Sequence, residues 1–191
     1  MEHVSDDDLI RLYRDGDAEA FDTLFDRHHA SVYNFARTML GDSGGPDEVL
    51  QETFLAVAQN AGRYAARGRF RPWLMRIARN LCLNRIRSDR LRRAAMAGGE
   101  IELVDPACHA AGPAEIVDAD EQTAIIRDAI AQLPDNQREA IALYAFEQMS
   151  YRRIAEIMDT PINTVKTLIR RGRARLAQKL ESHHREQDHE L

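Results

Sequence analysis

The chain has 191 residues, 44% of them hydrophobic and 30% charged, with two cysteines and a net charge of −5. That apolar content suffices for one packed domain or two small ones, while two cysteines, Cys82 and Cys108, make no disulfide framework and favour a reduced, cytoplasmic setting. The acidic start MEHVSDDDL carries no apolar signal segment, and no stretch approaches the roughly 20 apolar residues of a membrane span, so a soluble protein without membrane insertion is expected.

The net charge conceals a sorted distribution. Between Arg63 and Arg93 stand eleven arginines and a single acid, Asp89, for a local charge of +10. From Ser150 to Leu180 eight Lys/Arg against two acids give +6. The remainder is acidic. Binding to a polyanion is decided by local field, so two basic blocks point to nucleic acid although the total charge does not.

In chain order the pattern is helical nearly throughout, and an all-α fold is expected. Ser5 with Asp8 three residues on resembles a capping box, opening a short helix that Gly16 closes. Asp17 caps a long second helix whose stripe is Phe21, Leu24, Phe25, Val32, Phe35, Ala36 and Met39, ended by Gly41. GDSGGP is a turn, and Pro46 begins a third helix with Val49, Leu50, Phe54 and Val57 on its apolar side. Asn60–Gly68 reads as a loop. A fourth helix is predicted after Pro72, with Trp73, Leu74, Ile77, Ala78, Leu81 and Ile86 apolar and arginines between. From Ala94 to Ala114 sustained periodicity is lost, which reads as a linker. A second helical unit begins near Glu115, breaks at Leu133-Pro134 and continues as helices over about 135–147, 151–158 and 162–181. The expected organisation is therefore residues 1–94, a flexible acidic linker 95–114, residues 115–182 and a disordered tail 183–191.

The last two helices have helix-turn-helix spacing. Ser150 caps a helix carrying Tyr151, Ile154, Ala155 and Met158. Asp159-Thr160-Pro161 is a tight connection. The longer helix turns Val165, Leu168, Ile169, Leu176 and Leu180 inward and leaves Thr164, Lys166, Thr167, Arg170, Arg171, Arg173 and Arg175 outward. Such a second helix enters the major groove with its N-terminal residues first. Thr and Lys near its start reach base edges, and later arginines hold phosphates. An ordinary antiparallel helix pair with a basic solvated face is the competing reading of the spacing alone.

Other signals carry little. Cys108-His109 and the tail histidines 183, 184 and 189 lack the spacing of a closed zinc site, so no metal is expected. Cys82 lies on an apolar side as a small core residue, and His28 reads as a partly buried structural histidine. No Gly-rich phosphate loop or nucleophile–base pair stands out, so neither a cofactor, a small-molecule substrate nor catalysis is expected.

The segment LPDNQREAIALYAFEQMSYRRIAEIMDTPINTVKTLIRRGRARL closely resembles the promoter-reading C-terminal domain of extracytoplasmic-function (ECF) bacterial sigma factors. AFDTLFDRHHASVYNFA, PDEVLQETFLAV and FRPWLMRIARNLCLNRIR resemble the N-terminal half of the same family, in the same order. The resemblance implies two compact helical domains that bind core RNA polymerase and promoter DNA, with control by a separate anti-sigma factor. It assigns Asp47, Glu48, Gln51, Glu52 and Phe54 to polymerase docking, where an acidic-amide face with one aromatic suits a basic helical partner. It places Arg76, Arg79, Asn80, Asn84, Arg85 and Arg87 at the melted −10 element, where Arg neutralises separating phosphates and Asn bonds an exposed base edge. Tyr64, in the preceding loop, would sit where the family captures a flipped base. Thr164, Lys166, Thr167, Arg170 and Arg171 would read the −35 element. Many relatives carry Gly where Asp159 and Asn163 stand and a basic residue at 168, so Leu168 either touches a thymine methyl or packs inward. Glu100, Glu102 and Asp105 in the linker would face the polymerase interior as acidic mimics of nucleic acid, or serve as a soluble tether. The alternative is a stand-alone helix-turn-helix regulator, which differs in the role of Asp47–Phe54 and of the first basic block.

Overall fold

A computed structural model describes residues 4–65, 68–97 and 121–187. Among the described residues there are eight α-helices and no strand: α1 (Asp6–Arg14), α2 (Ala18–Leu40), α3 (Pro46–Asn60), α4 (Phe70–Ala97), α5 (Glu121–Ala131), α6 (Asp135–Ile141), α7 (Tyr151–Met158) and α8 (Ile162–Gln187). Helices α1–α4 form one layer of packing and α5–α8 a second, and α2 and α4 lie against α5, α6 and α7.

The helix starts follow from side chains that satisfy orphan N–H groups. Ser5 Oγ accepts from Asp8 N at 3.2 Å, and Asp17 Oδ1 accepts from Glu19 N at 3.0 Å and Ala20 N at 3.3 Å. Each such cap contributes about 1 kcal/mol. Pro46 occupies the first turn of α3, where no N–H is needed. Before it Gly45 has φ 73° and ψ 52°, the left-handed conformation that favours glycine.

α4 begins at Phe70, three residues before the expected start at Trp73, after Pro72. A proline at the third helical position is tolerated because the first N–H groups have no partner inside the helix. At the other end α4 runs to Ala97, beyond the boundary at 94, and α8 continues to Gln187 where a disordered tail from 183 was expected. Neither end meets a Gly or Pro stop until Gly98 for α4 and none at all for α8. The linker acids Glu100, Glu102 and Asp105, with Cys108, His109 and His189, lie outside the described residues.

The N-terminal core gathers Leu9, Ile10, Leu24, Val32, Phe35, Met39, Val49, Val57, Leu74 and Cys82, all 0–2% exposed. The apolar stripes of α2 and α3 meet through aromatic edges, with Phe25 and Phe21 at 4.8 and 6.1 Å from Phe54. Cys82 sits in this core, and burial pushes its thiol up to about 12. His28 is buried, with Nε2 2.8 Å from Asp6 Oδ2. In the C-terminal half Gly172 lets α8 approach α6 closely, since a Cβ would stand 2.9 Å from Ile141 Cγ1. The predicted 135–147 helix is α6 followed by a wider π-turn over Ala142–Phe146.

Candidate nucleic-acid interface

The helix-turn-helix is built as its spacing implies. Ser150 caps α7 by accepting from Arg153 N at 3.4 Å. α7 ends at Asp159, whose φ 51° and ψ 51° are left-handed, the conformation that favours glycine. Asp is tolerated there at some cost relative to glycine. Ile154, Ile157 and Met158 pack against Val165, Leu168 and Ile169, all buried. Leu168 therefore packs inward and does not reach a thymine methyl. Outward, Thr164, Lys166, Arg170 and Arg171 are exposed. Thr167 is half-buried and donates its hydroxyl to Asn163 O at 2.9 Å, which leaves its oxygen as an acceptor. Arg173 lies 4.7 Å over the Tyr144 ring, and Tyr144 stacks on Tyr151 at 5.3 Å.

The first basic block is in a different state. Asn80, Asn84 and Arg87 are exposed along one side of α4. Arg76 Nη2 donates to Glu156 O, and Arg79 Nε to Glu139 Oε1, with a second contact from Arg79 Nη2 to Met158 O at 3.3 Å. Arg71 Nη2 donates to Glu147 Oε2 at 2.6 Å, and Ser31 Oγ donates to the same oxygen. Arg90 pairs with Asp135. Arg138, itself only 2% exposed, donates to Met39 O at 2.8 Å and Leu133 O at 2.9 Å, placing a cation on the carbonyl end of α2. Glu139 and Glu147 are 2% and 3% exposed. Burial raises the Glu139 pKa, against the charge and hydrogen bond of Arg79. These acids were missed in the sequence reading. Their signal was there, in carboxylates placed within the otherwise apolar run REAIALYAFE.

Two assigned residues are buried. Tyr64 is only 9% exposed; its hydroxyl donates to Asp7 Oδ1 at 2.7 Å and its ring lies 4.7 Å from Trp73 and 5.9 Å from Phe70. Burial, then the Asp7 carboxylate, push its pKa well up. The ring packs on α4, and the hydroxyl ties the loop to α1. Phe54, 4% exposed, packs into the core against Phe21 and Phe25. Asp47, Glu48, Gln51 and Glu52 do share the exposed side of α3. Of these, Glu52 accepts from Arg85 Nη2 at 2.8 Å and Glu48 lies 3.6 Å from Arg85 Nη1. Arg85, expected at the −10 element, thus stitches α4 to α3. No group of three or more metal-ligating side chains exists among the described residues, and none of their helices is long and apolar enough to cross a membrane.

Two helical units, one carrying a long arginine-rich helix and the other a helix-turn-helix, define a DNA-binding protein of the sigma-70 class. Residues 24–92 match the model of Sigma-70 region 2, and residues 123–176 match Sigma-70, region 4. The chain is 33% identical over 176 residues to the ECF RNA polymerase sigma factor SigW of Bacillus subtilis, covering 90% of this chain and 94% of SigW. It is 33% identical to SigM of Mycobacterium tuberculosis, covering 92% and 85%. Among solved structures, CnrH in complex with the cytosolic domain of CnrY superimposes with a TM-score of 0.67 at 26% identity, covering 93% of this chain and 97% of CnrH. The sigma factor RpoE of Bartonella quintana, in complex with the anti-sigma factor NepR, shares the fold with a TM-score of 0.69, covering 86% and 98%. The chain belongs to the ECF RNA polymerase sigma factors.

Proposed function

We propose that this sigma factor docks on core RNA polymerase through Asp47, Glu48, Gln51 and Glu52 and directs promoter-specific initiation through two DNA-reading helices. Thr164, Lys166, Thr167, Arg170 and Arg171 on α8 contact the −35 element in the major groove. Asn80, Asn84 and Arg87 on α4 engage the opened −10 strand, with Arg76, Arg79 and Arg85 joining once they leave their present partners. The observation that carries the reading is the outward row of Thr164, Lys166, Arg170 and Arg171 on a helix whose inward residues Val165, Leu168 and Ile169 are buried. Base-edge contacts near the helix start and phosphate contacts further on match major-groove docking. The chain performs no chemistry of its own; RNA synthesis belongs to the polymerase. It works in the cytoplasm. A separate anti-sigma partner is inferred from the complexes of CnrH with CnrY and RpoE with NepR.

Run-off transcription with core polymerase over a promoter library tests this reading. Enrichment of a two-part consensus, lost on reversing the charge of Asp47 and Glu52, is the expected result. Binding to duplex DNA with no core-dependent initiation at any promoter would overturn it.

A further inference from the structure

We propose that Leu55 is the apolar anchor of the α3 docking face, and that it seats in an apolar socket between cationic side chains on a basic helical segment of core RNA polymerase. This rests on the assignment of α3 to polymerase docking and names the side chain that makes the central contact.

Glu48, Gln51, Glu52, Leu55 and Gln59 are separated by steps of three and four, the spacing of one helix face. All of them are exposed, while Pro46, Val49, Thr53, Phe54 and Val57 are buried on the other side of α3. Leu55 falls in the middle of the exposed face. Gln51 and Glu52 precede it by one turn, Glu48 by two, and Gln59 follows by one. Every neighbour on that face is a carboxylate or an amide, yet Leu55 is a leucine that is 57% exposed. Phe54, one residue back, is 4% exposed and packed on Phe21 and Phe25, so the large apolar side chain that α3 presents outward is Leu55.

A single exposed leucine is ordinary. This one is set apart by the order of its surroundings. Glu52 accepts from Arg85 Nη2 at 2.8 Å, Glu48 lies 3.6 Å from Arg85 Nη1, and the same nitrogen donates to Gly45 O at 3.3 Å. One guanidinium from α4 therefore fixes two carboxylates beside the leucine. Side chains held before binding lose less freedom when a partner arrives. An apolar centre inside a preset polar rim is the anatomy of an interface hot spot.

Charge selects the occupant. Asp47, Glu48 and Glu52 outnumber Arg85, so the face stays negative. A second copy of the chain would set carboxylates against carboxylates, and DNA would set phosphates against them; both repel. A basic helical surface is attracted. The two kinds of side chain then act on different rates: rim carboxylates speed encounter, and the buried anchor slows dissociation.

The test follows association and dissociation of the full chain with core RNA polymerase at low and high salt. Leu55→Ala is expected to weaken binding about tenfold or more, with the change in koff and kon close to parental. The factor should be the same at both salt concentrations, because screening acts on charges. Leu55→Met, of similar volume, should bind nearly as the parent does. Leu12→Ala, at a leucine of α1 that is 38% exposed, should leave binding unchanged. Should Leu55→Ala fail to fold, Leu55→Gln keeps the side-chain length and must show the same rise in koff. Parental affinity in the Leu55 variant, a loss that vanishes at high salt, or an equal loss in Leu12→Ala would overturn the proposal. Failure of the docking assignment itself reads differently: Asp47→Lys with Glu52→Lys would then leave core affinity parental, whereas failure of the anchor alone leaves that charge reversal harmful and Leu55→Ala silent.

Discussion

The two basic helices, α4 and α8, carry the same kind of residue and stand in opposite states. On α8, Arg170, Arg171, Arg173 and Arg175 are exposed, and Arg173 lies over an aromatic ring. On α4, Arg71, Arg76, Arg79, Arg85 and Arg90 all hold protein oxygens. The same contrast divides α3, where Phe54 is core and its neighbours Gln51 and Glu52 are exposed. Charge density therefore locates a nucleic-acid surface but does not say whether that surface is available. Availability depends on whether acids from elsewhere in the chain reach it.

The largest expected effect separates core from docking face on α3. Phe54→Ala removes a ring packed against Phe21 and Phe25 and should cost about 3–5 kcal/mol of stability. Glu52→Lys on the same helix should leave stability within about 0.5–1 kcal/mol, since it loses one exposed ion pair, and weaken core polymerase binding instead. Chemical denaturation and a core-binding titration on both variants check this. A Phe54→Ala protein of parental stability with weakened polymerase binding would return Phe54 to the docking surface.

Much of this division was legible in the sequence. The caps Ser5, Asp17 and Ser150, the first-turn Pro46 and the stop at Gly41 each use a local hydrogen-bonding or φ requirement, so neighbouring residues suffice to read them. The apolar stripe of α2 was equally local. Pro72 misled because a proline allowed anywhere in a first turn marks a helix start only to within a few residues. Phe54 and Tyr64 were ambiguous for a different reason. An aromatic on a helix or loop suits a core and a binding face alike, and only the positions of Phe21, Phe25, Trp73 and Asp7 decide. Glu139 and Glu147 were hardest to place: their partners Arg79 and Arg71 are 60 and 76 residues away in sequence, and no periodicity relates them.

The next effect bears directly on the two basic helices. Arg79→Ala leaves Glu139, 3% exposed at its side chain, as an uncompensated buried carboxylate, a loss of about 3 kcal/mol. Arg170→Ala, on exposed α8, should change stability by no more than about 0.5 kcal/mol. Its cost of about 1–3 kcal/mol should fall on duplex promoter binding, concentrated at one base position if it reads a base and uniform if it holds a phosphate. Thermal unfolding and filter-binding of the two variants, side by side, measure the contrast. Equal stability losses would mean that α4 and α8 are engaged alike.

The smallest effect concerns Tyr64, at the edge of the first basic block. Its hydroxyl donates to Asp7 Oδ1 at 2.7 Å, and Asp7 also accepts from the Gly68 N–H. Tyr64→Phe keeps the ring against Trp73 and Phe70 and removes only the hydroxyl. Asp7, 9% exposed, then retains one of two donors, and the cost should be about 1–2 kcal/mol. That loss is enough to lower the melting temperature by several degrees but leaves the native fold dominant. Well below that temperature, transcription from duplex and from pre-melted templates should both match the parent, because the ring is used for packing and the hydroxyl for bonding Asp7. A selective defect on duplex template, with the melting temperature unchanged, would instead place Tyr64 among the groups that open DNA. It would then stand with Asn80, whose replacement by Ala is expected to show that selective defect, since its amide is exposed on α4 and Tyr64's ring is not.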